Sequence, residues 1–124
     1  MWKEFNNNPC GRNVDDCAVR AVSVALDKSW EQAYRILADN GLQMCDMPNA
    51  NSVWGATLRK HGFYRGAVPN TCPDCYTAGD FIDDHPYGIY VLGFGTHVAT
   101  AIDGILLDSF NSLDEIPQYF WYRG

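Results

Sequence analysis

Apolar residues run through the whole chain, but they recur with two different periods. In DDCAVRAVSVAL, residues 15–26, Ala18, Val19, Ala21, Val22, Val24, Ala25 and Leu26 surround the helix axis, broken only by Arg20 and Ser23. That pattern predicts a buried central helix from about Cys17 to Leu26, with Asp15 or Asp16 as its N-cap. Asp16 and Arg20 stand at i,i+4, close enough to pair. In SWEQAYRILADNG, Ser29 and Gln32 form a capping-box signature, and Gly41 reads as the stop. Trp30, Ala33, Tyr34 and Leu37 share one face of this second helix. A third helix is expected from about Ser52 to His61, ended by Gly62. Residues 1–14, 42–50 and 66–79 read as irregular lead-in and loops.

From about Tyr87 the period shortens to that of strands. GIYVLGF, THVATAI and ILLDSF are short runs rich in β-branched and aromatic residues, and IPQYFWYRG adds a final strand after Pro117. Helices first and an antiparallel sheet second make an α+β pattern, and residues 1–124 read as one domain with no internal repeat.

Composition narrows the function. Nine Lys and Arg against fifteen Asp and Glu give a formal charge of −6. That argues against a nucleic-acid partner, which needs a basic face, and equally against an anionic membrane surface. The longest apolar runs are too short to cross a bilayer, and MWKEFNNNPCG lacks the apolar core of a secretory signal. Five cysteines, an odd number, favour free thiols and a reduced, cytoplasmic setting over a disulfide framework.

The dipeptide Asp103-Gly104 is a two-residue hairpin signal and fixes a register. Ile102 pairs with Ile105, Ala99 with Asp108, and His97 with Phe110. His97 and Asp108 then share a face one diagonal apart, roughly 7–8 Å between backbones, within reach of planar side chains. A carboxylate beside an imidazole fixes its tautomer and steadies the imidazolium, as a general base requires. Cys17, expected at a helix N-terminus, is the candidate nucleophile, because the dipole and free N–H groups there favour a thiolate and an oxyanion. Asp15 and Asp16 oppose that effect.

The helix start DC-A-V-R-A, the later GTHV strand entry and D-G-I-L-L-D-S occur in an order that resembles the papain-like cysteine peptidase superfamily. The likeness is to its small bacterial and phage members and to the related bacteriocin-leader-processing peptidases. The resemblance implies a papain-like fold with a central Cys-bearing helix packed on the C-terminal antiparallel sheet. It also implies Cys17 as nucleophile, His97 as general base and Asp108 as orienting acid. The activity it implies is thiol-dependent hydrolysis of a peptide or isopeptide bond, with amidase or acyltransferase variants, and no cofactor or metal. The expected partner is a peptide or protein substrate. Such enzymes place a Gln about six residues before the cysteine; here that residue is Gly11, which leaves the oxyanion amide to Asn13 or Asn8. An alternative is a non-catalytic binding module on the same fold, of the phage or bacterial effector kind.

CPDC, Cys72 to Cys75, is the rival signal. It reads as half of a zinc site, a redox pair, a stapled loop or simply two thiols. Zinc would need two more ligands from Cys10, Cys45, His61 and His85. Asp80, Asp83, Asp84 and His85 read as a capped helical turn before Pro86, and Tyr119–Tyr122 as strand core and edge.

Overall fold

The computed structural model describes residues 1–123. Four helices pack on a six-stranded mixed sheet, an α+β architecture. In chain order the elements are β1 (Trp2–Glu4), α1 (Cys17–Ala25), α2 (Trp30–Met44), α3 (Asn51–Lys60), β2 (Tyr64–Ala67), α4 (Ala78–Asp84), β3 (Ile89–Gly93), β4 (Val98–Ile102), β5 (Ile105–Asp108) and β6 (Tyr119–Arg123). The strand order across the sheet is β1-β5-β4-β3-β6-β2.

Helix α1 lies at the centre, as its nearly all-apolar circumference predicts. Even Arg20 and Ser23 are buried in it. One face of the sheet offers Val91, Val98 and Trp121 to α1, α2 and α3. The buried hydroxyl of Thr100 ties the layers together, donating to the Ala21 carbonyl at 2.8 Å. The opposite face offers Leu92, Ala99, Ala101 and Leu106 to Ala78, Phe81 and Ile82 of α4. This alternation along β4 is the period-2 signature of a sheet covered on both sides.

Four expectations need correction. The sheet is mixed rather than antiparallel, because the lead-in contains β1, which runs parallel to β5 with Trp2 opposite Leu106 and Glu4 opposite Asp108. Residues 66–79 are not one loop: β2 reaches Ala67, pairing antiparallel with β6, and α4 begins at Ala78 behind a Thr77–Asp80 capping box. Helix α2 passes through Gly41 and ends at Met44, with Cys45 in the left-handed conformation at φ 54°. Gly41 serves close approach instead of termination, since a Cβ there would stand 2.9 Å from the Asp46 carbonyl oxygen. Finally, Asp16 occupies the N-cap position of α1, but its side chain makes no capping bond.

Candidate active site

The Asp103-Gly104 hairpin forms with both residues at positive φ, 49° and 79°, as a type I′ turn requires. Ile102 pairs with Ile105, Ala101 with Leu106 and Thr100 with Leu107, the register expected from the sequence. Asp108 ends β5, and His97 lies one residue before β4. The imidazole sits between the rings of Phe94 and Phe110, with centroids 5.9 and 4.9 Å away. Its Nε2 reaches Asp108 Oδ2 at 2.7 Å.

Strand parity puts His97 on the α4 side of the sheet, whereas Cys17 belongs to a helix on the other side. They meet because the first turn of α1 reaches the end of the sheet, where β4 begins and β5 stops. With Nε2 taken by Asp108, Nδ1 is the nitrogen left for the Cys17 thiol, which lines the same cleft and is held below its ordinary pKa by this ring.

Asp108 is wholly buried, and its oxygens are fully engaged. Oδ2 accepts from His97 and from the Ser112 hydroxyl at 2.7 Å. Oδ1 accepts from the Ser109 N–H at 2.7 Å and from the Arg20 guanidinium at 3.4 Å. Arg20 also holds Asp16 at 2.7 Å, and the indole N–H of Trp30 donates to the second Asp16 oxygen at 2.9 Å. Buried charges persist only when paired and hydrogen-bonded in this way. The arrangement also explains the absent cap, because both Asp16 oxygens are committed to Arg20 and Trp30. The acid that would oppose a thiolate is thereby matched by a cation. Strand β1 braces the same corner: the Phe5 N–H donates to the Asp108 carbonyl at 2.8 Å.

Burial pushes the Cys17 thiol up. The hydrogen bond and charge of His97, the Val98 backbone N–H and the charge of Arg20 outweigh it and leave the thiol below its ordinary value. Burial likewise disfavours a charged His97, but the hydrogen bond to Asp108, that to Cys17 and both negative charges raise the ring to about 9. For Asp108 the burial penalty is outweighed by His97, Ser112 and the Ser109 N–H, so its carboxyl lies below the usual range. All three directions favour a thiolate–imidazolium pair beside a carboxylate.

Cys17 and His97 open into a cleft of about 550 Å³, walled by Asp15, Asn49, Asn51, Trp54, Gly95 and Thr96. Asn13 is exposed and is not among the lining residues. Asn8 is spent on its own loop, accepting from the Cys10 N–H at 2.9 Å. The amides in the cleft are Asn49 and Asn51. Asn51 accepts the Trp54 indole N–H at 3.0 Å through its oxygen, which leaves its NH₂ free to donate. Neither amide is marked in the sequence: both lie more than thirty residues beyond Cys17, in and after a stretch read as loop.

Cys72 and Cys75 are joined as a disulfide, and Cys10, Cys17 and Cys45 are free. Among the described residues no three His, Cys, Asp or Glu side chains converge as a metal site. No helix among them is long and apolar enough to cross a membrane. Scanned against protein-family models, curated proteins and solved structures, the chain matches none.

Proposed function

We propose that the chain is a papain-like thiol hydrolase that cleaves a peptide or isopeptide bond through a thioester on Cys17. The observation that carries this reading is the line from an accessible thiol at a helix N-terminus, through His97, to the buried Asp108 carboxylate 2.7 Å from the ring. A core position would account for the burial of any one of the three. It does not account for a partly exposed thiol and an imidazole that line the same open cleft.

In the proposed reaction the Cys17 thiolate attacks the carbonyl carbon, forming a C–S bond and an oxyanion. The Cys17 backbone N–H belongs to the first turn of α1 and has no intrahelical acceptor, so it is free to receive that charge. Collapse breaks the C–N bond, and the leaving amine takes the proton from the His97 imidazolium. Water then attacks the thioester and gives His97 a proton. The second collapse breaks the C–S bond, releasing the acid and restoring the thiolate–imidazolium pair. Asp108 holds the ring in place throughout and stabilises its charged form.

The test is the rate of iodoacetamide modification at each cysteine against pH, in wild type and in His97→Ala. Fast labelling of Cys17 below the usual thiol range, lost in the variant, supports the reading. Slow labelling of Cys17 that ignores His97 refutes it and leaves a binding module on the same fold.

A further inference from the structure

A second groove, about 520 Å³, runs between α3 and the β2–β6 edge of the sheet, and Asn51 lines both it and the Cys17 cleft. The wall between them is continuous, since the Trp54 ring of the first cleft stacks on the Tyr119 ring of the second, centroids 6.1 Å apart. Two arginines border the second groove. The Arg59 guanidinium lies 5.2 Å over the Trp121 ring and that of Arg65 lies 4.4 Å over Tyr119.

Carboxylates outnumber cations in this chain, fifteen to nine, yet neither guanidinium has an ion pair or a hydrogen-bond acceptor among the described residues. Asp46, the acid bonded to the groove residue Ser52, accepts from the Met47 N–H and the Ser52 hydroxyl instead. A guanidinium over a ring face is restrained by it while its N–H groups stay open to a planar anion. Edge strands often carry a cation to discourage pairing, but that role calls for a side chain extended into water. Arg65 lies across Tyr119 towards the groove.

We infer that the substrate of the Cys17 site is an acidic peptide, one carboxylate of which seats on Arg59 and Arg65 while the scissile carbonyl lies over the thiol. The inference rests on the hydrolase reading and adds its substrate class. Recognition is by charge-assisted N–H···O bonds, so it weakens with salt.

Peptidyl vinyl sulfones, which alkylate a thiolate by addition and need no leaving group, test it. Each carries Glu or the isosteric Gln at one of several positions and is extended beyond the sulfone to an end that is a free carboxylate or an amide, and labelling of Cys17 is followed by intact mass. The expected result is a preference of about tenfold for one carboxylate position, the worth of a charge-assisted pair, which falls to about one in Arg59→Gln/Arg65→Gln. Dependence on Glu identifies a side-chain carboxylate, and dependence on the free terminus identifies the end of the peptide. Iodoacetamide labelling of wild type separates the two failures. If Cys17 reacts fast with iodoacetamide but all probes label equally, or the preference survives in the double variant, the arginine groove is not the acid-binding site. If Cys17 is slow towards iodoacetamide as well, the hydrolase reading falls and the substrate assignment falls with it.

Discussion

His97 Nε2 and Asp108 Oδ2 stand 2.7 Å apart across the hairpin that joins β4 to β5, and Asp108 is fully shielded from solvent. A two-residue turn is the shortest connection that could bring them together, so little chain freedom separates the imidazole from the carboxylate.

Asp108→Asn keeps the shape of the acid and removes its charge. The imidazolium loses its principal support, and the amide can present N–H where an acceptor is needed. Turnover is expected to fall by at least about a hundredfold, since an orienting acid in a triad supports much of the rate. The alkylation profile of Cys17 should shift to higher pH, because a less basic His97 holds the thiolate less well. Titrating iodoacetamide labelling against pH in both proteins checks this, and an unmoved profile would remove Asp108 from the relay.

The pH dependence follows from the directions of the three shifts. Cys17 is lowered and His97 is raised to about 9, so the ion pair exists between those two values. Hydrolysis should be bell-shaped in pH. Its alkaline limb should lie near 9, where His97 loses the proton it must give to the leaving amine. Alkylation should show the acid limb alone, because a free thiolate still reacts. Stability has its own signs. The raised His97 contributes fully below its unfolded value of about 6.5 and loses that contribution as pH rises through about 9. The lowered Asp108 contributes fully above the ordinary carboxylate range and loses it as pH falls through its folded value. Urea midpoints measured from pH 3 to 10 in wild type and His97→Ala should differ most in the window below 9.

Arg20 joins Asp108 to Asp16, the acid beside Cys17, and it is itself only 5% exposed. Arg20→Met leaves Asp16 and Asp108 as buried carboxylates without their cation. Removing one partner of a buried pair costs about 3–5 kcal/mol, so a large fall in melting temperature is expected. Arg20→Lys should recover only part of it, because a single ammonium cannot repeat the fork that reaches both acids. A variant melting within a degree or two of wild type would show that the pairing adds nothing to the fold.

What the sequence made legible depended on the range of the signal. Asp103-Gly104 is a local device whose positive-φ demand only a few residues meet, and from it the register and the nearness of His97 and Asp108 could be worked out. The all-round apolar surface of residues 17–26 likewise announced a central helix, and the i,i+4 spacing of Asp16 and Arg20 announced their pair. Other features turn on contacts made only after folding. Strand β1 has three residues, too few for a period, and exists because β5 offers it an edge. Gly41 is the residue a helix stop would use, yet it fills a place where the Asp46 backbone returns against α2. Asn51 reaches the cleft only because α3 folds back beside α1.

Asn51 is therefore the amide to examine for the oxyanion, and Asn13 is the control. Asn51 faces the cleft with its oxygen anchored on the Trp54 indole, whereas Asn13 lies in the exposed stretch before α1. If Asn51 donates to the developing oxyanion, Asn51→Ala should slow acylation of Cys17 by p-nitrophenyl acetate by about a hundredfold, the usual loss for one such donor. Asn13→Ala should stay within about twofold of wild type, as surface substitutions away from a site generally do. Alkylation by iodoacetamide passes through no oxyanion, which separates chemistry from structure. Loss of the Trp54 bond that merely loosened the cleft would slow acylation and alkylation alike. A donor to the oxyanion should slow acylation far more, and the ratio of the two rates, measured in each variant at one pH, decides between them.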